Sequence, residues 1–232
     1  MIYVTADLHG YPLEKFQQLL KKADFSEADF LFIIGDVVDR GFDGVEILKW
    51  LMEQPNVELI MGNHEAMMLA CAFLFVEVTP RNIDALTMDR LGAVNLWRSN
   101  GGDSTIDALV KTKPSTRAEI FEFLRECPLY DTVAIGDKNY LLVHGGLGNY
   151  KEGKKLSEYA AADLLWSRTY PPMKYSEQFT TIVGHTPTAM YGGEHLGKIY
   201  KSDTWINVDV GAARGVAPAL LRLDDMKEFY LD

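Results

Sequence analysis

The sequence predicts an α/β fold, and three observations predict it. The first sixty or so residues alternate short apolar runs with amphipathic stretches, in the order strand, helix, strand, helix, strand. From His64 to Cys127 the pattern turns mostly helical. After that, short strand patterns return and continue almost to the last residue.

In chain order, the run Ile2–Thr5 reads as a buried first strand. Residues Tyr11–Lys22 carry Pro12 near the start and leucines on one face, which predicts a helix. Phe30–Ile34 is a second strand, with Gly35-Asp36 directly after it. Val45–Met52 reads as a helix and Val57–Met61 as a third strand. The stretch of about 65–127 reads as a helical cap or insertion. Glu119–Arg125 is its clearest helical pattern, and Ser99-Asn100-Gly101-Gly102 is a polar break. No linker-like run bounds it, so residues 1–232 are expected to form one catalytic domain. The back half holds strand patterns at Thr132–Ile135, Tyr140–Val143, Thr181–Val183, Lys198–Tyr200, Trp205–Val208 and Ala219–Leu223. Short turns such as Gly136-Asp137-Lys138-Asn139 predict antiparallel hairpins there. There are no internal repeats, low-complexity tracts or heptads.

Composition bounds the function. The 232 residues are 47% hydrophobic and 24% charged, which suffices for a core without disulfides. With 23 Lys+Arg against 33 Asp+Glu the formal net charge is −10, which argues against a broad basic surface for long nucleic acids. No run of 18 apolar residues is present, so no membrane-spanning helix is expected. Met1 leads straight into a strand-like run rather than a basic segment and then an apolar one, so no secretory signal is expected. Cys71 and Cys127 form no metal or disulfide pattern and read as reduced thiols of a cytoplasmic protein.

The chemistry lies in the polar turn at the end of each apolar run. After the first run comes Asp7-Leu8-His9-Gly10, and after the second Gly35-Asp36-Val37-Val38-Asp39-Arg40-Gly41. The third leads into Gly62-Asn63-His64-Glu65. Later runs lead into His144-Gly145-Gly146 and Gly184-His185-Thr186-Pro187. Each motif alone would read as an ordinary turn. Their repetition carries the weight, because loops at successive strand ends of an α/β sheet share one crevice. His195, in a Gly-rich loop, repeats none of the pattern.

Asp7, Asp36 and Asp39 brought together without cations would repel one another. Imidazoles and carboxylates without thiolates suit manganese, iron or zinc rather than a structural zinc site. The donors are too many for one tetrahedral ion, and two metals sharing a carboxylate, roughly 3.5–4 Å apart, fit better. Arg40 and Arg168 add guanidinium forks of the kind that clamp phosphoryl oxygens, although Trp166 beside the latter is open to a simple core-packing reading. Two metals with such clamps suit phosphoryl transfer.

Together these five ordered motifs resemble the metallophosphoesterase superfamily, and within it the phosphoprotein phosphatases, the calcineurin-like serine/threonine enzymes, in a compact bacterial or phage form. Asp209-Val210-Gly211-Ala212 is similar to that family's closing strand segment. The resemblance implies a four-layer α/β/β/α sandwich with two mixed β-sheets. It implies that Asp7 and His9 bind a first metal, that Asp36 bridges, and that Asn63, His144 and His185 bind a second. It further implies that Arg40 and Arg168 hold phosphate, and that His64, oriented by Asp39, protonates the leaving group. The nucleophile would be a hydroxide bridging the metals. No Cys-x5-Arg spacing is present, so a cysteine-phosphatase route is not expected. Manganese stands first as the metal, with iron–zinc or nickel as alternatives.

The expected substrate is a phosphoprotein or phosphopeptide, with small phosphate esters accepted in vitro and no regulatory subunit implied. The long carboxyl-terminal loop of the eukaryotic enzymes is absent; Gly211-Ala212-Ala213-Arg214-Gly215 stands there instead. The segment Trp97–Gly102 resembles one found in bacterial members and is expected near the substrate opening. The competing branch is the diadenosine tetraphosphate hydrolases, whose members usually lack the second aspartate of Gly-Asp-x-x-Asp-Arg-Gly. Asp39 therefore favours the phosphatases. A small-nucleotide phosphoesterase, or an inactive phosphopeptide-binding module on the same scaffold, completes the alternatives.

Overall fold

Two five-stranded sheets stack face to face in a computed structural model that describes residues 1–76 and 87–231. Residues 77–86, inside the stretch read as a cap, lie outside the described residues. The front half agrees closely with the sequence reading: β1 (Ile2–Thr5), α1 (Leu13–Lys22), β2 (Phe30–Ile34), α2 (Gly44–Met52) and β3 (Val57–Ile60). The helical stretch holds α3 (Asn63–Ala70), α4 (Met88–Ser99), α5 (Asp103–Lys111) and α6 (Pro114–Glu126). The back half contains β4 (Tyr130–Ile135), β5 (Lys138–Val143), α7 (Ala161–Leu165), β6 (Thr180–Val183), β7 (Tyr200–Lys201), β8 (Trp205–Asn207), β9 (Ala219–Arg222) and β10 (Lys227–Tyr230).

The first sheet has the order β10-β9-β1-β2-β3, and the second β4-β5-β6-β8-β7. Both are mixed. The core strands β1, β2 and β3 run parallel, as do β5, β6 and β8. The expected antiparallel hairpins form where the connecting turns are short, and parallel pairing appears where they are long. Antiparallel pairing holds for β4–β5, β7–β8 and β9–β10. Between β5 and β6, and between β6 and β8, the intervening chain is long enough for a crossover, so parallel pairing is open to it. β10 has no counterpart in the sequence reading, because Lys227 and Glu228 dilute its apolar pattern.

Strand alternation explains the layers. Leu31 and Ile33 pack under the helices, whereas Phe32 and Ile34 face the second sheet. Tyr140 and Leu142 meet them there, while Leu141 and Val143 point to the outer face of the second sheet. A one-residue slip would invert every one of these side chains, so the register is fixed by the two-sided burial. The helical side is amphipathic in the usual way. On α1, Phe16, Leu19 and Leu20 are buried and Lys21 and Lys22 close the last turn near the negative end of the helix dipole. Each of those apolar side chains contributes about 2 kcal/mol by burial. The outer layer on the second sheet is thinner, with α7 and the loops around Leu147, Tyr159 and Tyr175 covering it. The result is the α/β/β/α sandwich that the family resemblance implies.

No described helix is long and apolar enough to cross a membrane. Cys71 is buried, Cys127 is half-buried, and both are free thiols.

Candidate dimetal site

The carboxyl ends of β1, β2, β3, β5, β6 and β8 bring their succeeding loops to one place. Asp7, His9, Asp36, Asp39, Asn63, His64, His144 and His185 are all buried there. The backbone adopts left-handed φ at Asp7, His9, Asp36, Asp39, Arg40 and His185, six of the nine non-glycine residues with positive φ among those described. Such conformations cost about 1–3 kcal/mol each and persist where the surroundings enforce them. Here they turn the loop side chains inward.

Asp36 is central. Its Oδ2 lies 3.3 Å from His144 Nε2, 3.7 Å from His9 Nε2 and 3.8 Å from His64 Nε2. Its Oδ1 accepts the His64 backbone N–H at 3.0 Å, in the first turn of α3, where free amides and the helix dipole favour an anion. Gly62 lets the two segments meet, since a Cβ there would fall 2.3 Å from Asp36 Oδ1. Two triads capable of holding a metal share Asp36: His9, Asp36 and His64, and Asp36, His144 and His185. Asp7 stands beside them, with Oδ1 3.8 Å from His9 Nε2 and Oδ2 accepting the His185 N–H at 2.9 Å. Asn63 Oδ1 lies 3.0 Å from His144 Nε2.

Hydrogen bonds set the ring protonation. Arg40 donates to His9 Nε2 at 2.9 Å and to His64 Nε2 at 3.1 Å, so both atoms present lone pairs. His9 then donates from Nδ1 to the Val38 carbonyl, and His64 from Nδ1 to Asp39 Oδ2 at 2.5 Å. His144 donates from both nitrogens, to the Ile34 carbonyl and to Asn63. His185 Nε2 is buried and has no hydrogen-bond partner among the described residues. An orphaned imidazole nitrogen facing a shared carboxylate is what a metal ligand set presents, and these residues fit a pair of divalent cations.

The electrostatics agree. Burial lowers His9 and His185 to about 3, so both stay neutral. Burial opposes charge on His144 too, but Asp36 and Asp7 outweigh it and raise His144 to about 10. Burial likewise works to raise Asp36, yet His144, His64 and His9 hold it well below the usual carboxylate range. Asp7 is pushed up by burial and then by Asp209. Burial also works against charge on His64, but Asp36 and the hydrogen-bonded Asp39 overcome it and raise the pKa, while Arg40 opposes them. The 3.1 Å Arg40 contact requires the neutral ring; protonation would turn Arg40 away.

Every expected metal ligand, with His64, Asp39 and Arg40, lies in or beside this cluster, and Arg168 reaches it from the rim by donating to the His185 carbonyl at 3.1 Å. Trp166 is 39% exposed and edge-on to His185, which sets aside the core-packing reading. His195 sits apart, against Tyr200 and Glu194. Trp97, expected near the substrate opening, is fully buried and donates to Asp39; the Gly101 carbonyl of the same segment accepts the Arg40 backbone N–H at 3.0 Å.

Glu65 closes one of the sequence motifs without a role evident from the sequence. It is fully buried and accepts backbone N–H groups from Asp36, Val37, Val38 and Gly62 at 2.8, 2.9, 3.3 and 3.1 Å. Burial and Asp36 raise it to about 6. Asp209 is also buried, and burial and Asp36 raise it to about 7 even as Gly211 N–H donates to it. Its position just after β8, matching the other site loops, was the available signal.

The sequence profile of calcineurin-like phosphoesterases matches residues 1–208. The chain belongs to the calcineurin-like phosphoesterase family. It is 42% identical over 71 residues to a symmetrical bis(5'-nucleosyl)-tetraphosphatase of Chromobacterium violaceum, a match covering 30% of this chain and 25% of that protein. It is 26% identical over 167 residues to serine/threonine-protein phosphatase 2 of Escherichia coli, covering 71% of this chain and 66% of that one. The chain thus spans a quarter of the first relative's length and just under two thirds of the second's. A solved structure assigned provisionally as a diadenosine tetraphosphatase superposes with a TM-score of 0.66 over 99% of this chain and 92% of the other, at 15% identity, which establishes the shared fold. Family membership and the paired triads support metal-dependent phosphoesterase chemistry.

Proposed function

We propose that this protein is a two-metal phosphoesterase that hydrolyses dinucleoside tetraphosphates. The observation that carries the chemistry is the pair of triads joined through Asp36 Oδ2. In this reading Asp7, beside His9, takes the place of His64 in the first triad, so that Asp7, His9 and Asp36 hold one cation and His64 is free to act as acid; Asp36, Asn63, His144 and His185 hold the other. Manganese is the proposed metal. The cations supply charge neutralisation and an activated water when bound. Arg40 swings from His9 and His64 to the phosphoryl oxygens, and Arg168 meets them from the His185 side. His64, backed by Asp39, delivers a proton from Nε2 to the departing oxygen.

The substrate assignment rests on relatives named symmetrical bis(5'-nucleosyl)-tetraphosphatase, which recur at 30–42% identity. Hydrolysis would place the water oxygen on one phosphorus, break its bridging P–O bond and release two nucleotide products. The phosphoprotein reading stands second, and a specific observation favours it. The Asp39–His64 contact equips the site to protonate a poor leaving group such as a serine alkoxide, whereas a nucleoside diphosphate departs with less help. The longer match to the Escherichia coli phosphatase adds support.

Parallel assays with manganese decide between them. Diadenosine tetraphosphate turnover exceeding that of phosphoserine and phosphotyrosine peptides by about tenfold or more in kcat/KM is the expected result, equivalent to about 1.4 kcal/mol in the barrier. The reverse order would assign the chain to the phosphoprotein phosphatases. No hydrolysis of any of these by metal-replete protein would leave a binding module.

A further inference from the structure

Asp39 is fully buried, and its carboxylate is held from three sides. His64 Nδ1 donates to Oδ2 at 2.5 Å. Trp97 Nε1 donates to both oxygens, at 3.0 and 2.9 Å. Thr105 Oγ1 donates to Oδ1 at 2.6 Å and accepts the Asp39 backbone N–H at 2.9 Å. Trp97 stands near the end of α4 and Thr105 in the first turn of α5. Neither belongs to either metal triad. Packing alone does not account for this arrangement, because a phenylalanine would fill space without aiming an N–H at a buried carboxylate. The turn between the helices is shaped around the indole: a Cβ on Gly102 would fall 2.6 Å from Trp97 Cδ1. The same turn takes the Arg40 N–H on the Gly101 carbonyl, so residues 97–105 grip both consecutive residues of the loop after β2.

We infer that Trp97 and Thr105 are positioning residues for proton delivery by His64, and that the helical segment 97–105 is thereby part of the working site. A carboxylate bonded to an imidazole alone can pivot about its Cβ–Cγ bond, and the ring pivots with it. Donors on the other two sides fix the carboxylate plane. That fixes the imidazole, and its Nε2 then faces the Asp36 side. The inference rests on the proposed acid role of His64 and is independent of the natural substrate.

Leaving-group dependence tests it. The manganese-loaded variants Trp97→Phe, Thr105→Val, Thr105→Ser and His64→Asn are compared on p-nitrophenyl phosphate and phenyl phosphate, with metal content measured for each. In Trp97→Phe and Thr105→Val the phenyl to p-nitrophenyl ratio of kcat/KM should fall roughly 10- to 100-fold, with metal content retained. Thr105→Ser, which keeps the hydroxyl, should restore the ratio. An unchanged ratio in both variants, with a fallen ratio in His64→Asn, overturns the positioning role alone. An unchanged ratio in His64→Asn overturns the acid reading and this inference with it. Should Trp97→Phe fail to fold, the isosteric Thr105→Val carries the decision.

Discussion

Asp36 concentrates the electrostatics of the site at a single residue. Three imidazole nitrogens lie within 3.8 Å of one of its oxygens, and a helix amide binds the other. Asp36→Asn should therefore lower the occupancy of both metals, read by elemental analysis; two retained ions would remove its bridging role. His144 makes a complementary prediction. With both ring nitrogens donating and its pKa raised to about 10, it must shed the Nε2 proton to become a ligand. Metal uptake should release protons near neutral pH, from His144 and from Asp7, whose carboxyl burial also raises, and affinity should rise with pH. Calorimetry in buffers of different ionisation enthalpy measures this, and uptake without proton release would take both His144 and Asp7 out of the ligand set. Arg40→Ala should weaken inhibition by inorganic phosphate about tenfold or more; an unchanged inhibition constant would make Arg40 a partner of His9 and His64 only.

Among the elements, the junction of the β2 loop with α3 bears the most. Glu65, on the first turn of α3, collects four backbone N–H groups, three of them from the loop directly after β2. This single carboxylate ties the loop that carries Asp36, Asp39 and Arg40 to the helix that carries Asn63 and His64. Glutamine has one acceptor oxygen and would set an amide N–H against a backbone N–H. Glu65→Gln should cost on the order of 2–3 kcal/mol, lowering the thermal midpoint by roughly 5–10 °C. An unchanged midpoint would show that the loop is held by other contacts. The segment 97–105 acts on the same loop from the opposite side, through Asp39 and Arg40.

Over the whole molecule, two parallel strand sets from different sheets end at one buried cluster. The site is assembled from loops separated by most of the chain: the His185 backbone binds Asp7 across 178 positions. Metal at about 100 times its dissociation constant should stabilise the fold by roughly 2.7 kcal/mol, raising the midpoint by roughly 5–10 °C in scanning calorimetry, with reversal by chelator. A midpoint indifferent to metal would mean that the cluster does not bind cations in the folded chain.

Local signals suffice for the α/β class, the front strands to within a residue, and the positions of the site groups, since an apolar run and the polar turn after it are adjacent in the chain. Pairing and partnership are settled by tertiary packing. The parallel course of β5, β6 and β8, and the placement of β9 beside β1 with β10 outside it, depend on which faces are buried together. Trp97 and Thr105 reach Asp39 from 58 and 66 residues away, and their helical patterns alone give no sign of that contact. The physical reason is the same in both cases: periodicity specifies which face of an element is apolar, while packing selects the element that meets it.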